Sequence, residues 1–101
     1  MYFLGIDVGT GGTRALVIDE GGRVVASATE EHRAFASPRI GWAEQDPCDW
    51  WRACRLAVPK VLAQGDLHAD QIACVGLSGQ MHGAVLAGRA RTRGATRPDL
   101  V

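Results

Sequence analysis

The sequence predicts an α/β fold, in which an antiparallel three-strand meander is followed by a crossover helix and a strand parallel to the first. Three observations predict it. Three apolar runs near the N-terminus are separated by short glycine-containing turns. A stretch from residue 46 to residue 65 carries helix start and stop residues. The run QIACVGL, residues 71–77, is apolar on both faces, as central strands with a parallel neighbour usually are.

The first strand is expected over residues 2–6, with Phe3 and Leu4 as core candidates. The second covers residues 13–18, rich in β-branched and apolar side chains. Glu20, Gly21 and Gly22 form a turn into a third strand over residues 23–29. Residues 32–41, with Pro38 and Gly41, read as irregular. Asp46 then suits the N-cap, Pro47 the first helical position and Asp49 the positive end of the helix dipole. Trp51, Cys54, Val58 and Val61 recur at helical spacing as an apolar stripe, Trp50 is also assigned to the core, and Gly65 ends the helix. Pro59 is expected to kink the helix or shorten its regular part.

Composition narrows the class of protein. The chain has 101 residues, 47% apolar and 22% charged, which is globular and fits one domain. Zero formal net charge points to neither a nucleic-acid nor a membrane partner. Cys48, Cys54 and Cys74 form no CxxC pair, and with His32, His68 and His82 they show no zinc spacing; they read as small hydrophobes in a reducing, cytoplasmic setting. The opening run has no basic start and is interrupted by Asp7, so neither a signal peptide nor a membrane span is expected there.

The stretch GIDVGTGGTRALVID carries the chemistry. An aspartate and a long glycine loop between two strands exceed what a tight hairpin needs. If the loop faces phosphate, glycines allow close approach and successive amide N–H groups form an anion nest. Thr10 and Thr13 add hydroxyl donors and Arg14 adds charge. Asp7 would repel phosphate, so its place makes sense if magnesium, or a magnesium-bound water, lies between them. The loop is not a Walker P-loop, because no Gly-Lys-Ser/Thr follows, nor a dinucleotide fingerprint, because a strand follows it. The plain alternative is a generous hairpin turn with a capping aspartate.

That stretch resembles the first phosphate motif of the actin-like ATPases, in which a β-hairpin grips the nucleotide phosphates. GWAEQDPCDWW and VGLSGQMHGAVL narrow the resemblance to the FGGY carbohydrate kinases, the second being similar to the xylulokinase branch. The three blocks cover roughly residues 2–86. The resemblance implies a ribonuclease-H-like, actin-type fold, with ATP and Mg2+ as cofactors and a pentulose such as D-xylulose as substrate, phosphorylated to D-xylulose 5-phosphate. It implies nucleotide-phosphate contacts at Asp7, Thr10, Gly11 and Arg14, loop shaping by Gly12 and Thr13, and magnesium at Asp7. It places the sugar at Gln80, Met81 and His82, and at Met81 and His82 glycerol kinases are expected to carry a charged pair. The plain alternatives are a turn histidine and a core methionine. Glu44 and Gln45 are assigned to holding the helix start, with the border of the sugar cleft as the other option.

The general-base aspartate, the second phosphate motif and the adenosine pocket are expected beyond residue 101, so no catalytic residue is assigned in the chain. Residues 1–87 are expected to form part of a first lobe, and 88–101, with four arginines and no strand period, a disordered or frame-shifted basic tail. The missing C-terminal part of the kinase is the partner that this implies. Two alternatives stay open: a non-catalytic lobe that binds sugar or a partner, and a functionless remnant. If a frameshift near Leu86 produced the tail, kinase-like sequence resumes in another forward frame of the downstream DNA; its absence in all three rejects the frameshift.

Overall fold

The computed structural model describes residues 1–34, 37, 39–41, 43–79, 85–86 and 99–100. Strands β1 (Tyr2–Val8), β2 (Gly12–Asp19) and β3 (Val24–Glu31) form the antiparallel meander, and helix α1 (Pro47–Gln64) follows. A short 3-10 turn, Ala69–Gln71, leads into β4 (Ile72–Ser78), which lies parallel to β1. The sheet order is β3-β2-β1-β4. Val85–Leu86 (β5) and Asp99–Leu100 (β6) make a separate antiparallel pair, so the end of the basic segment does carry extended backbone.

Each turn has a local cause. Between β2 and β3, Oδ1 of Asp19 accepts from the amides of Gly21 and Arg23, each at 2.9 Å. Gly22 takes φ +84° there, a conformation that costs glycine least. At the helix start, Oδ1 of Asp46 accepts from the Cys48 amide at 2.9 Å, as the N-cap assignment requires.

The core lies between α1 and one face of the meander. Leu4, Ala15, Val17, Ala26 and Ala28 meet Ala57 and Val61, with Tyr2, Ile6, Val58 and Leu62 packed around them. The buried stripe of the helix is Asp49, Ala53, Ala57 and Val61, which corrects the stripe read from the large side chains. Alanines on both surfaces let helix and sheet approach closely, and Trp51 is displaced outward, 64% exposed. Phe3 is only half-buried and alternates to the face opposite Leu4. Pro59 sits on the exposed side and does not shorten α1, which runs unbroken to Gln64.

Strand β4 also departs from expectation. Its apolar residues predict a central strand, yet among the described residues it is the sheet's edge, with Val75 52% and Leu77 79% exposed. The reason is position: α1 packs over β2 and β3 and barely reaches β1. Cys48 and Cys74 are likewise exposed and Cys54 half-buried, so only the last behaves as a partial core filler.

One buried charge ties the helix start to the meander. Asp49 is 6% exposed and accepts from the Arg33 amide at 2.7 Å and from Nε of Arg52 at 2.6 Å. Nη2 of Arg52 donates to the Glu31 carbonyl at 2.9 Å. The Arg52 hydrogen bond, helped by the Arg33 amide, holds the Asp49 carboxyl below its ordinary value of 3.8 against the opposing effect of burial.

Because its folded-state pKa is depressed, Asp49 contributes stability that is present above pH about 4 and lost as pH falls through the lowered value. Asp49→Asn is therefore expected to lower the melting temperature at pH about 7. The gap to the parent chain should narrow as pH falls below the ordinary carboxylate value, because protonation weakens the same bonds. Asp49→Ala should cost about 2 kcal/mol, since the Arg33 amide and the Arg52 guanidinium lose a charged acceptor. Thermal melts of the three chains across this range check both expectations.

Candidate phosphate-facing site

The β1–β2 register builds the site. Asp7 stands opposite Arg14 on β2 and beside Ser78 on β4. Alternation along the strands puts all three on the face away from α1. One step earlier on that face Gly5 lies beside Gly76, so the sheet has no side chains there. Together these residues border an open depression of about 330 Å³, lined also by Ile6, Leu16 and Leu77. Among the described residues the Asp7 carboxylate forms no ion pair. Nε of Arg14 instead donates to Oγ1 of Thr29 at 3.3 Å, which draws it toward β3.

Gly9, Thr10 and Gly11 connect the strands, and the Thr10 and Gly11 carbonyls are occupied by the protein. The Gly9 amide donates to the Gly12 carbonyl and the His32 amide to the Gly11 carbonyl, each at 2.9 Å. The Thr10 carbonyl accepts from Nε2 of Gln45 at 2.7 Å and, at a long 3.4 Å, from Nδ1 of His32. A carbonyl can only accept, so Nδ1 carries the imidazole proton in that contact. Nε2 of His32 hydrogen-bonds with the Thr13 hydroxyl at 2.7 Å. Thr13 is fully buried and its hydroxyl is engaged inward. That arrangement favours the loop-shaping role and leaves the hydroxyl poorly placed as a phosphate donor.

The loop glycines differ in what they do. A Cβ on Gly12 would sit 2.8 Å from the Glu30 carbonyl oxygen, so the adjacent strand itself demands glycine. A Cβ on Gly11 would meet nothing within 4 Å. Neither takes a positive φ. Among the described residues no contact therefore requires Gly11 to be glycine, and the open space beside it is where an anion could approach closely.

Asp7 and this loop fit a magnesium–phosphate unit. Magnesium is commonly bound through one or two carboxylates, several waters and substrate phosphates. Asp7 offers one exposed carboxylate. Among the described residues no cluster of three or more His, Cys, Asp or Glu could hold a metal by itself. Gln80, Met81 and His82, the sequence-assigned sugar residues, lie outside the described residues, as does Trp42. Glu44 is exposed. Sequence reading gave His32 no role and did not connect Gln45 to the loop. The meander register was the available signal for His32, since pairing Gly12 with Glu31 sets His32 opposite Gly11.

Comparison with known proteins defines the family. Residues 2–92 match the model of the N-terminal domain of the FGGY family of carbohydrate kinases. The chain belongs to that family. It is 42% identical over 85 residues to the xylulose kinase of Escherichia coli K12, covering 83% of this chain and 17% of that protein. It is 36% identical over 85 residues to the glycerol kinase of Clavibacter michiganensis, covering 84% and 17%. The crystal structure of a xyloylose kinase from Brucella ovis superposes with a TM-score of 0.80 at 37% identity, over 100% of this chain and 20% of that one. The fold is thus that of the sugar kinases, the actin-like ATPase class, and the chain spans about a fifth of the length of these proteins.

Gly12→Ala is expected to destabilise the chain by about 1–3 kcal/mol, because backbone must shift to admit the methyl group. Gly11→Ala should leave stability within about 0.5 kcal/mol. Denaturant unfolding of both variants checks the contrast; equal losses would mean that Gly11 also has a packing role.

Proposed function

We propose that this chain supplies the phosphate-gripping hairpin and part of the sugar site of an ATP-dependent pentulose kinase. The γ-phosphoryl group of ATP passes to a primary hydroxyl of D-xylulose. The new P–O bond forms as the β,γ-bridging P–O bond breaks, ADP leaves, and the hydroxyl proton goes to a base outside residues 1–101. The observation that carries this reading is the β1–β2 loop, whose carbonyls are held by the protein while Asp7 stands exposed beside it.

In this reading Asp7 holds magnesium directly or through a water, and the Thr10–Gly11 segment offers donors to the phosphates. Arg14 assists after releasing Thr29. Bound magnesium and ATP supply the electrophilic phosphoryl group and the charge neutralisation it needs. Gln80, Met81 and His82 contact sugar hydroxyls; a neutral imidazole both donates and accepts, which suits a row of them. The Met-His pair favours a pentulose over glycerol, although glycerol kinases match the chain closely too. The setting is cytoplasmic; among the described residues no helix is long and apolar enough to cross a membrane.

Calorimetric titration of residues 1–101 with a non-hydrolysable ATP analogue, with and without magnesium, tests the assignment. Magnesium-dependent binding is expected, and Asp7→Asn should weaken it roughly tenfold, the effect of losing about 1.4 kcal/mol. Binding that ignores both magnesium and Asp7 would refute the role given to this carboxylate. Turnover by this chain with ATP and D-xylulose is expected to be negligible, since half a cleft lacks the base. A coupled ADP-release assay measures it.

A further inference from the structure

Gln45 joins two parts of the molecule distant in sequence: the residue before the helix cap and the loop after β1. Its carboxamide is bonded at both ends. Oε1 accepts from Nε1–H of Trp50 at 3.2 Å, and Nε2 donates to the Thr10 carbonyl at 2.7 Å. The orientation is chemically determined. An indole N–H can only donate, so the amide oxygen must face Trp50; the Thr10 carbonyl can only accept, so the amide nitrogen must face the loop. Trp50 is half-buried on α1, and the helix is anchored by its alanine stripe and Asp49.

This contact determines what the loop shows to the outside. In a planar trans peptide the carbonyl of one residue and the N–H of the next point in opposite directions. Holding the Thr10 carbonyl inward turns the Gly11 N–H away from Gln45 and His32. The Gly11 carbonyl, held by the His32 amide, does the same for the Gly12 peptide. Space beside Gly11 is open, so an anion can reach the outward N–H.

We propose that Gln45 is a positioning residue for phosphate binding, acting through the Thr10–Gly11 peptide and itself oriented by Trp50. The proposal rests on the phosphate-binding reading above and deepens it. Gln45 touches no phosphate. It removes the alternative peptide orientation, in which the Thr10 carbonyl would face an incoming anion and repel it. Trp50 thereby gains a function in the site, although it belongs to the helix.

The test is a titration of isotope-labelled residues 1–101 with inorganic pyrophosphate, followed through the Gly11 amide resonance. Comparison is with Gln45→Met, which keeps length and neutrality but cannot donate, and with Trp50→Phe, which keeps Gln45 but frees its amide. In the parent chain the Gly11 resonance should shift saturably. Gln45→Met should raise the apparent Kd roughly tenfold, the loss of one well-made hydrogen bond, and Trp50→Phe by a smaller factor, roughly threefold. Helix content, read by circular dichroism, should be unchanged in both variants. Parent and Gln45→Met binding alike overturns the positioning role alone. No binding by the parent overturns the phosphate reading and, with it, this inference. If Gln45→Met fails to fold, Trp50→Phe decides, equal binding to the parent again overturning the role.

Discussion

A one-residue slip between β1 and β2 would turn every side chain of one strand to the opposite face, and both core and site depend on that register. As paired, Leu4 and Ile6 point toward α1, and Gly5 and Asp7 point away from it. Asp7 therefore meets Arg14 and Ser78 in the open, while Thr13 enters the interior. The same register leaves three residues to turn the chain, too few for the loop to collapse upon itself and enough to present backbone outward. Apolar alternation, which stabilises the fold, thus also aims the polar groups.

Packing of the helix is the second constraint, and it reaches the site through short side chains. Ala15, Ala26 and Ala28 cluster with Ala57 and Val61, so the helix lies close against the meander. Close seating places the residues before its first turn within reach of the β3 exit and the glycine loop. Asp49 then binds the Arg33 amide, and Gln45 binds the Thr10 carbonyl. Larger residues in the stripe would lift the helix and break both contacts. Local stability and loop orientation are consequently coupled, because the residues that begin the helix also bind the β1–β2 loop.

The opposite pattern holds at β4. Ile6, Val8, Trp50, Trp51, Cys54 and Leu77 border an apolar trough of about 510 Å³ between the helix and this strand. Its width follows from the position of α1 over β2 and β3. The matched proteins are about five times longer than this chain. Residues that read as central in the sequence are exposed here, because burial depends on which elements pack over a strand, and α1 covers β2 and β3 instead of β4.

Much of this architecture was legible in the residues. The three strands of the meander, the Asp46 cap, Pro47 and the end of the helix follow from local backbone preferences, which need no distant partner. So does the position of the glycine loop between its two strands. What local rules could not settle were contacts between segments far apart in the chain. Alanine carries little hydrophobic signal, so the buried helix stripe was hidden behind larger side chains that turned outward. Gln45 and Thr10 are 35 residues apart, and Thr13 and His32 are 19 apart. The sequence by itself determined which segments fold and where the glycine loop with its aspartate lies. Only the tertiary structure decided which side of that loop faces outward, because peptide orientation is set by hydrogen-bond partners that folding brings together.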